Sequence, residues 1–252
     1  MFWQPSKLLV GKEEQEWIER SLIWLLNEFG KDYFLGKATI IPHWSSFPKY
    51  EGTDECVRRL VDHVCGCMDV NPSLIDVEIS ESENYADDEG LSAGESRFEG
   101  AAGMFVQEGG NPRMQIHIDE NCRADSLKLV ATIAHELGHA RLLGERRLSP
   151  DDPAHELMTD LITVFLGMGI FTANNAFQFN QWTDGNMQGW SVSTGGYMSE
   201  PMFGYALAAC CWMRSEAKPR WGDFLAMNVG HYFRNSLKYL NKGGQTTLPK
   251  LR

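Results

Sequence analysis

Apolar residues recur at three- and four-residue steps in several stretches of this chain and alternate with polar residues in a few shorter ones. From Glu14 to Phe29 they fall at Trp17, Ile18, Leu22, Ile23, Leu25 and Leu26, which predicts an amphipathic helix that Gly30 is placed to stop. A second helix is predicted from Thr53, with Cys56, Leu60, Val61, Val64, Cys65 and Met68 on one face. Between the two, Lys37 to Ile41 is a β-prone run ended by Pro42. Ile75, Val77 and Ile79 alternate with Asp76, Glu78 and Ser80, the pattern of a half-buried strand. The polar stretch from Glu81 to Glu99 reads as a long loop.

Two further β-prone runs, Gly103 to Gln107 and Arg113 to Ile118, flank Glu108-Gly109-Gly110-Asn111-Pro112 and predict a hairpin. The period then becomes helical from Asp125, a suitable N-cap, through Leu129, Val130, Ile133, Ala134 and Leu137 to a stop at Gly144. After a turn-rich link, Asp152 and Pro153 introduce another helix running through Leu157, Leu161, Val164 and Phe165. The last third is mostly helical, with an apolar segment from Pro201 to Met213 and a further helix around Trp221 to Leu240. The expected fold is α+β: a single domain over residues 1–252, with an N-terminal α/β lobe to about residue 120, carrying a small mixed or antiparallel sheet, and a helical C-terminal lobe.

With 252 residues, 43% of them hydrophobic and 23% charged, the chain can bury a substantial core. It has no apolar run of about 18 residues that would span a bilayer, so no membrane partner is expected. The first residues, Met1 to Lys12, lack a long apolar segment and soon meet Glu13, Glu14 and Glu16, so a cytoplasmic location is expected. The net charge of −11 disfavours nucleic acid as a direct partner. Cys56, Cys65, Cys67, Cys122, Cys210 and Cys211 show no paired C-x-x-C spacing; most are expected to be reduced core residues, and Cys65-Gly66-Cys67 alone has a spacing open to redox chemistry.

Chemistry enters with His135-Glu136-Leu137-Gly138-His139. Residues four apart on an α-helix lie one turn above each other, so both imidazoles project from one face and can share a metal ion. Glu136 points along the flank of that face, where its carboxylate can act on water without occupying a coordination position. A catalytic zinc needs a third protein ligand and one open position. Glu156 on the next helix is the first candidate, with Asp160 one turn on to accept a hydrogen bond from a histidine. His155 ranks second, about 100° away around the same helix, and Glu145, six residues after His139, ranks third.

The His135-Glu136-x-x-His139 element followed by Glu156-x-x-x-Asp160 resembles the gluzincin branch of zinc metallopeptidases over roughly residues 116–168. The short link between the motifs looks most like the compact bacterial ImmA/IrrE-type peptidases. That resemblance implies a zincin-like fold and Zn2+ held by His135, His139 and Glu156. It also implies Glu136 as general base and proton shuttle, Asp160 orienting His135, and a sheet edge that holds an extended peptide or protein substrate beside the helix. A wide groove beside the Met114 to Ile118 strand would favour protein substrates, and a closed pocket small ones. His231, Tyr197 and Tyr205 are the residue types available in the C-terminal lobe to donate to an oxyanion. The rival readings are a non-catalytic zinc sensor or interaction protein and a metal-free helical binding module. The pattern leaves oligomeric state open.

Overall fold

Helix α1 (Lys12–Phe29) forms where the spacing predicts it, burying Ile18, Leu22 and Leu25 completely, and Gly30 ends it with φ +91°. In the computed structural model, which describes residues 8–43, 47–80, 103–107, 113–183 and 197–252, a short α2 (Lys31–Gly36) follows. Next comes α3 (Asp54–Met68), whose N-cap Thr53 accepts a hydrogen bond from the Cys56 amide. The predicted strand from Lys37 to Ile41 is absent: Lys37 closes α2, and the run lies extended with Ile40 N–H donating to the Gly167 carbonyl. That partner, Gly167, lies in a turn, and no strand among the described residues pairs with the run.

Three strands make a mixed sheet in the order β1-β3-β2. Strand β1 (Ile75–Ser80) runs parallel to β3 (Met114–Asp119), with Ile75 opposite Met114. Strand β2 (Gly103–Val106) runs antiparallel to β3, with Gly103 opposite Ile118. Met114, Ile116 and Ile118 are buried on the face towards the helices, as the period-two pattern requires. The hairpin pairing is therefore as predicted, while its turn and the 81–99 segment lie outside the described residues. Strand β3 is central and paired on both sides, so among the described residues the edge strand beside the helix that carries the histidine motif is β2.

That motif helix, α4 (Ser126–His139), starts on Asp125, whose carboxylate accepts from the Leu127 and Lys128 amides. It lies against β2 and β3 on one side and against α5 (His155–Phe165) and α6 (Gly169–Thr183) on the other. Helix α5 begins two residues later than Asp152-Pro153 predicts. The Asp152 carboxylate instead binds the Ala154 amide in a local turn, and its carbonyl accepts from His155 N–H. Helix α7 (Glu200–Met213) packs on α5, α6 and α1, and α8 (Met227–Asn241) packs on α7, so the expected helical C-terminal region is present. No helix among the described residues is long and apolar enough to cross a membrane. None of the six cysteines is disulfide-bonded.

The chain's end is tied to its beginning through one carboxylate. Glu19 Oε2 accepts from Thr247 N (2.6 Å) and Thr247 Oγ1 (2.7 Å), while Oε1 accepts from Gln15 Nε2 (3.0 Å) and the Tyr205 hydroxyl. Burial alone would raise the pKa of Glu19, but these donors outweigh it and hold the carboxyl below its ordinary range.

Candidate metal centre

The site is assembled where α4 and α5 cross, and Gly138 sets how closely they approach. A Cβ at that position would stand 2.9 Å from Thr159 Cγ2 and 3.1 Å from the Thr159 carbonyl oxygen. At the end of α4 the helix widens into a π-type turn, Ala140–Gly144, which follows the second histidine directly.

His135 and His139 stand one turn apart with ring centroids 4.9 Å apart and planes at 85°. Both are buried, at 3% and 7% exposure, which matters because a buried imidazole needs a partner for each nitrogen. His135 Nε2 lies 3.1 Å from Glu156 Oε2, and His139 Nε2 lies 3.5 Å from the same oxygen. One ligand atom from each of the three residues falls within 4.8 Å of the others, and among the described residues this is the only such His, Cys, Asp and Glu group. Two neutral nitrogens and a carboxylate oxygen form a donor set suited to a divalent ion of intermediate softness.

The far side of each imidazole is fixed as well. His135 Nδ1 donates to Asp160 Oδ1 at 2.9 Å, and Asp160 Oδ2 accepts from the Met198 amide at 2.8 Å, so that carboxylate is satisfied on both oxygens. His139 Nδ1 lies 3.1 Å from Thr159 Oγ1, whose hydroxyl proton is used 2.8 Å away on the His155 carbonyl. The hydroxyl can therefore only accept from His139. Both imidazoles thus hold a proton on Nδ1 and turn Nε2 towards Glu156, so Nε2, which donates to that carboxylate here, is the nitrogen a metal would take in place of its proton.

Electrostatics favour a cation at this point. Burial works against a charge on His135, but hydrogen bonds and attraction from Asp160 and Glu156 overcome it and raise its pKa well above the ordinary histidine value. Burial would likewise raise the pKa of Glu156, yet hydrogen bonds from His135, His139 and His155 hold it well below the usual carboxylate range. Glu136 is 4% exposed, and burial pushes its pKa up. Its carboxylate has room because β2 brings a glycine there: a Cβ on Gly103 would lie 2.7 Å from Glu136 Oε1 and 2.7 Å from Thr132 Cγ2.

The remaining expected residues divide between those brought to the site and those held elsewhere. Tyr197 is brought in, its ring 5.3 Å from that of His135. Burial and the negative charges of Glu156, Glu136 and Asp160 raise its pKa. The rival ligand His155 is committed to holding Glu156. Its Nε2 lies 3.1 Å from Glu156 Oε1 and its Nδ1 lies 2.9 Å from the Asp152 carbonyl. Glu145 pairs with Arg141 and, at 2.8 Å, with Arg147. Tyr205 spends its hydroxyl on Glu19, and His231 is exposed on α8 with Tyr232 as its ring neighbour, so neither belongs to this centre.

Two contributors were not foreseen. Thr159 supplies the acceptor for His139, and Phe105 on β2 lies over the His139 ring at 6.1 Å between centroids. A signal for Thr159 exists in the sequence, since it is a small polar residue directly beside Asp160 on a largely apolar helix. Thr159→Val keeps the shape but leaves His139 Nδ1–H without an acceptor. The variant is expected to bind a divalent ion roughly 10- to 100-fold more weakly, while Thr159→Ser binds as the parent does. Metal titration with a competing chelator measures both.

Compared with protein-family models, with curated proteins and with solved structures, the chain matches none.

Proposed function

We propose that this protein is a zinc-dependent metallopeptidase that hydrolyses peptide bonds with metal-activated water and Glu136 as the general base. The observation that carries the reading is the convergence of His135 Nε2, His139 Nε2 and Glu156 Oε2 within 4.8 Å beside a buried carboxylate that is not one of the three. A purely structural zinc closes its fourth position with protein and has no use for such a carboxylate. Zinc held by these three groups would supply Lewis acidity and make water nucleophilic near neutral pH.

The chain's own residues account for the rest. Glu136, with its proton affinity raised by burial, takes a proton from the attacking water and returns it to the departing amine. Asp160 and Thr159 keep both imidazoles in the tautomer that presents Nε2. Tyr197, beside His135, is the phenol available to donate to the developing oxyanion. Strand β2, at the sheet edge next to α4, offers backbone groups to an extended peptide.

The purified chain is expected to bind one zinc per molecule and to cleave an unfolded protein such as casein. A chelator should abolish the cleavage and added zinc should restore it. A chain that binds no divalent metal refutes the reading entirely. One that binds zinc but leaves casein and a mixed peptide library intact supports the non-catalytic zinc-binding alternative instead.

A further inference from the structure

The charge of this molecule is unevenly placed. Residues 217–252 hold Lys218, Arg220, Arg234, Lys238, Lys242, Lys250 and Arg252 against a single acid, Asp223, a balance of +6, and the other 216 residues carry −17. Five of these bases, together with the single acid Asp223, line one groove of about 540 Å³ between α8 and the segment from Ala217 to Asp223, which leaves its lining at a balance of +4. Elsewhere in the fold basic side chains mostly meet carboxylates: Lys37 pairs with Asp69, Arg113 with Asp76, Arg123 with Asp54 and Glu120, and Arg147 with Glu28 and Glu145. Lys218, Arg220, Arg234 and Lys238 are all exposed and form no ion pair with any described residue. Such a collection of like charges costs stability through mutual repulsion unless a counter-charge arrives.

We infer that this groove captures an extended acidic segment of a partner protein. Arg234 and Lys238 on α8 and Lys242 at its C-cap follow one another at four-residue steps and form one ridge with a rise of about 6 Å per step. In an extended peptide, side chains on the same side repeat every ~6.7 Å, so alternate acidic residues meet successive cations. Lys218 and Arg220 face that ridge from across the groove, and its floor is apolar, formed by Phe233 and Leu237. The floor suits the aliphatic parts of a peptide. Single-stranded nucleic acid asks for exposed aromatic rings on which bases stack; Phe233 is buried and packed against Trp221 with ring centroids 5.0 Å apart. The −17 body would also repel a long polyanion that extended beyond the groove. Helix α8 packs on α7, and the inference rests on charge and shape there, independent of the metal chemistry.

The test is fluorescence anisotropy with a fluorescein-labelled dodecapeptide of alternating Glu and Val. The parent protein is expected to bind it, and Arg234→Glu combined with Lys238→Glu is expected to weaken binding at least tenfold while leaving Tm within about 2 °C, because both side chains are exposed. Lys12→Glu, a charge reversal on an exposed lysine of α1, should change the affinity less than twofold. Absence of binding at 1 mM protein overturns the inference, as does binding that the double reversal leaves intact. A labelled twelve-residue oligothymidylate that binds as tightly as the peptide, and is lost in the same double variant, overturns it in favour of nucleic acid.

Discussion

Replacing Glu136 by Gln is expected to leave the zinc content unchanged and to lower peptide hydrolysis by roughly 10³-fold or more, the scale of a positioned general base. The two outcomes separate because the residue stands apart from the three metal-facing atoms, which come from His135, His139 and Glu156. Gln is nearly isosteric and fits the space beside Gly103 and Thr132 that the carboxylate now fills, so Tm should hold. His139→Ala, by contrast, removes a nitrogen facing Glu156 Oε2 and should lose both metal and activity. Zinc analysis, a thermal melt and a casein assay on the three proteins decide the matter. Hydrolysis that survives in Glu136→Gln at the parent rate excludes Glu136 as the base.

Gly138→Ala is expected to damage the centre without touching a ligand. The added methyl meets Thr159 Cγ2 at 2.9 Å and backbone oxygen at 3.1 Å, with Ile162 Cγ2 at 3.3 Å, so α5 has to move away from α4. Overpacking of this kind costs about 1–3 kcal/mol, which in a chain of this size lowers Tm by roughly 2–10 °C. The same movement carries Glu156 and Thr159 away from the histidines, so zinc affinity falls together with stability. The matched control is Gly66→Ala in α3, where nothing lies within 4 Å of the new Cβ. It should be neutral or slightly stabilising, because alanine is the better helix former by about 1 kcal/mol. An unchanged melt and zinc affinity in Gly138→Ala would mean that helix approach does not govern the site.

What the sequence made legible is what local geometry dictates. A four-residue step on a helix puts His135 and His139 on one face regardless of the rest of the fold. Glu156 and Asp160 share a face for the same reason, so the link between two helices was enough to bring the pairs together. The hairpin of β2 and β3 followed from alternation and turn residues. Contacts between distant segments were not legible. Tyr205 was a reasonable hydroxyl for the metal centre, yet it answers to Glu19, 186 residues away. Lys37 to Ile41 has strand propensity, but a strand needs a neighbour and the fold supplies a turn at Gly167. Thr159 was missed because whether a hydroxyl accepts from an imidazole depends on how closely two helices lie, and that distance is set by Gly138.

The tie between Glu19 and Thr247 spans 228 residues, and this has a bearing on how the protein comes into being. Glu19 finds one donor, Gln15, on its own helix, but the other three come from Tyr205 and Thr247, so the native seat of α1 against α7 forms only after segments 186 and 228 residues away have closed on it. Loops of that length close late in folding, and without the segment around Thr247 the carboxylate would keep two of its four donors.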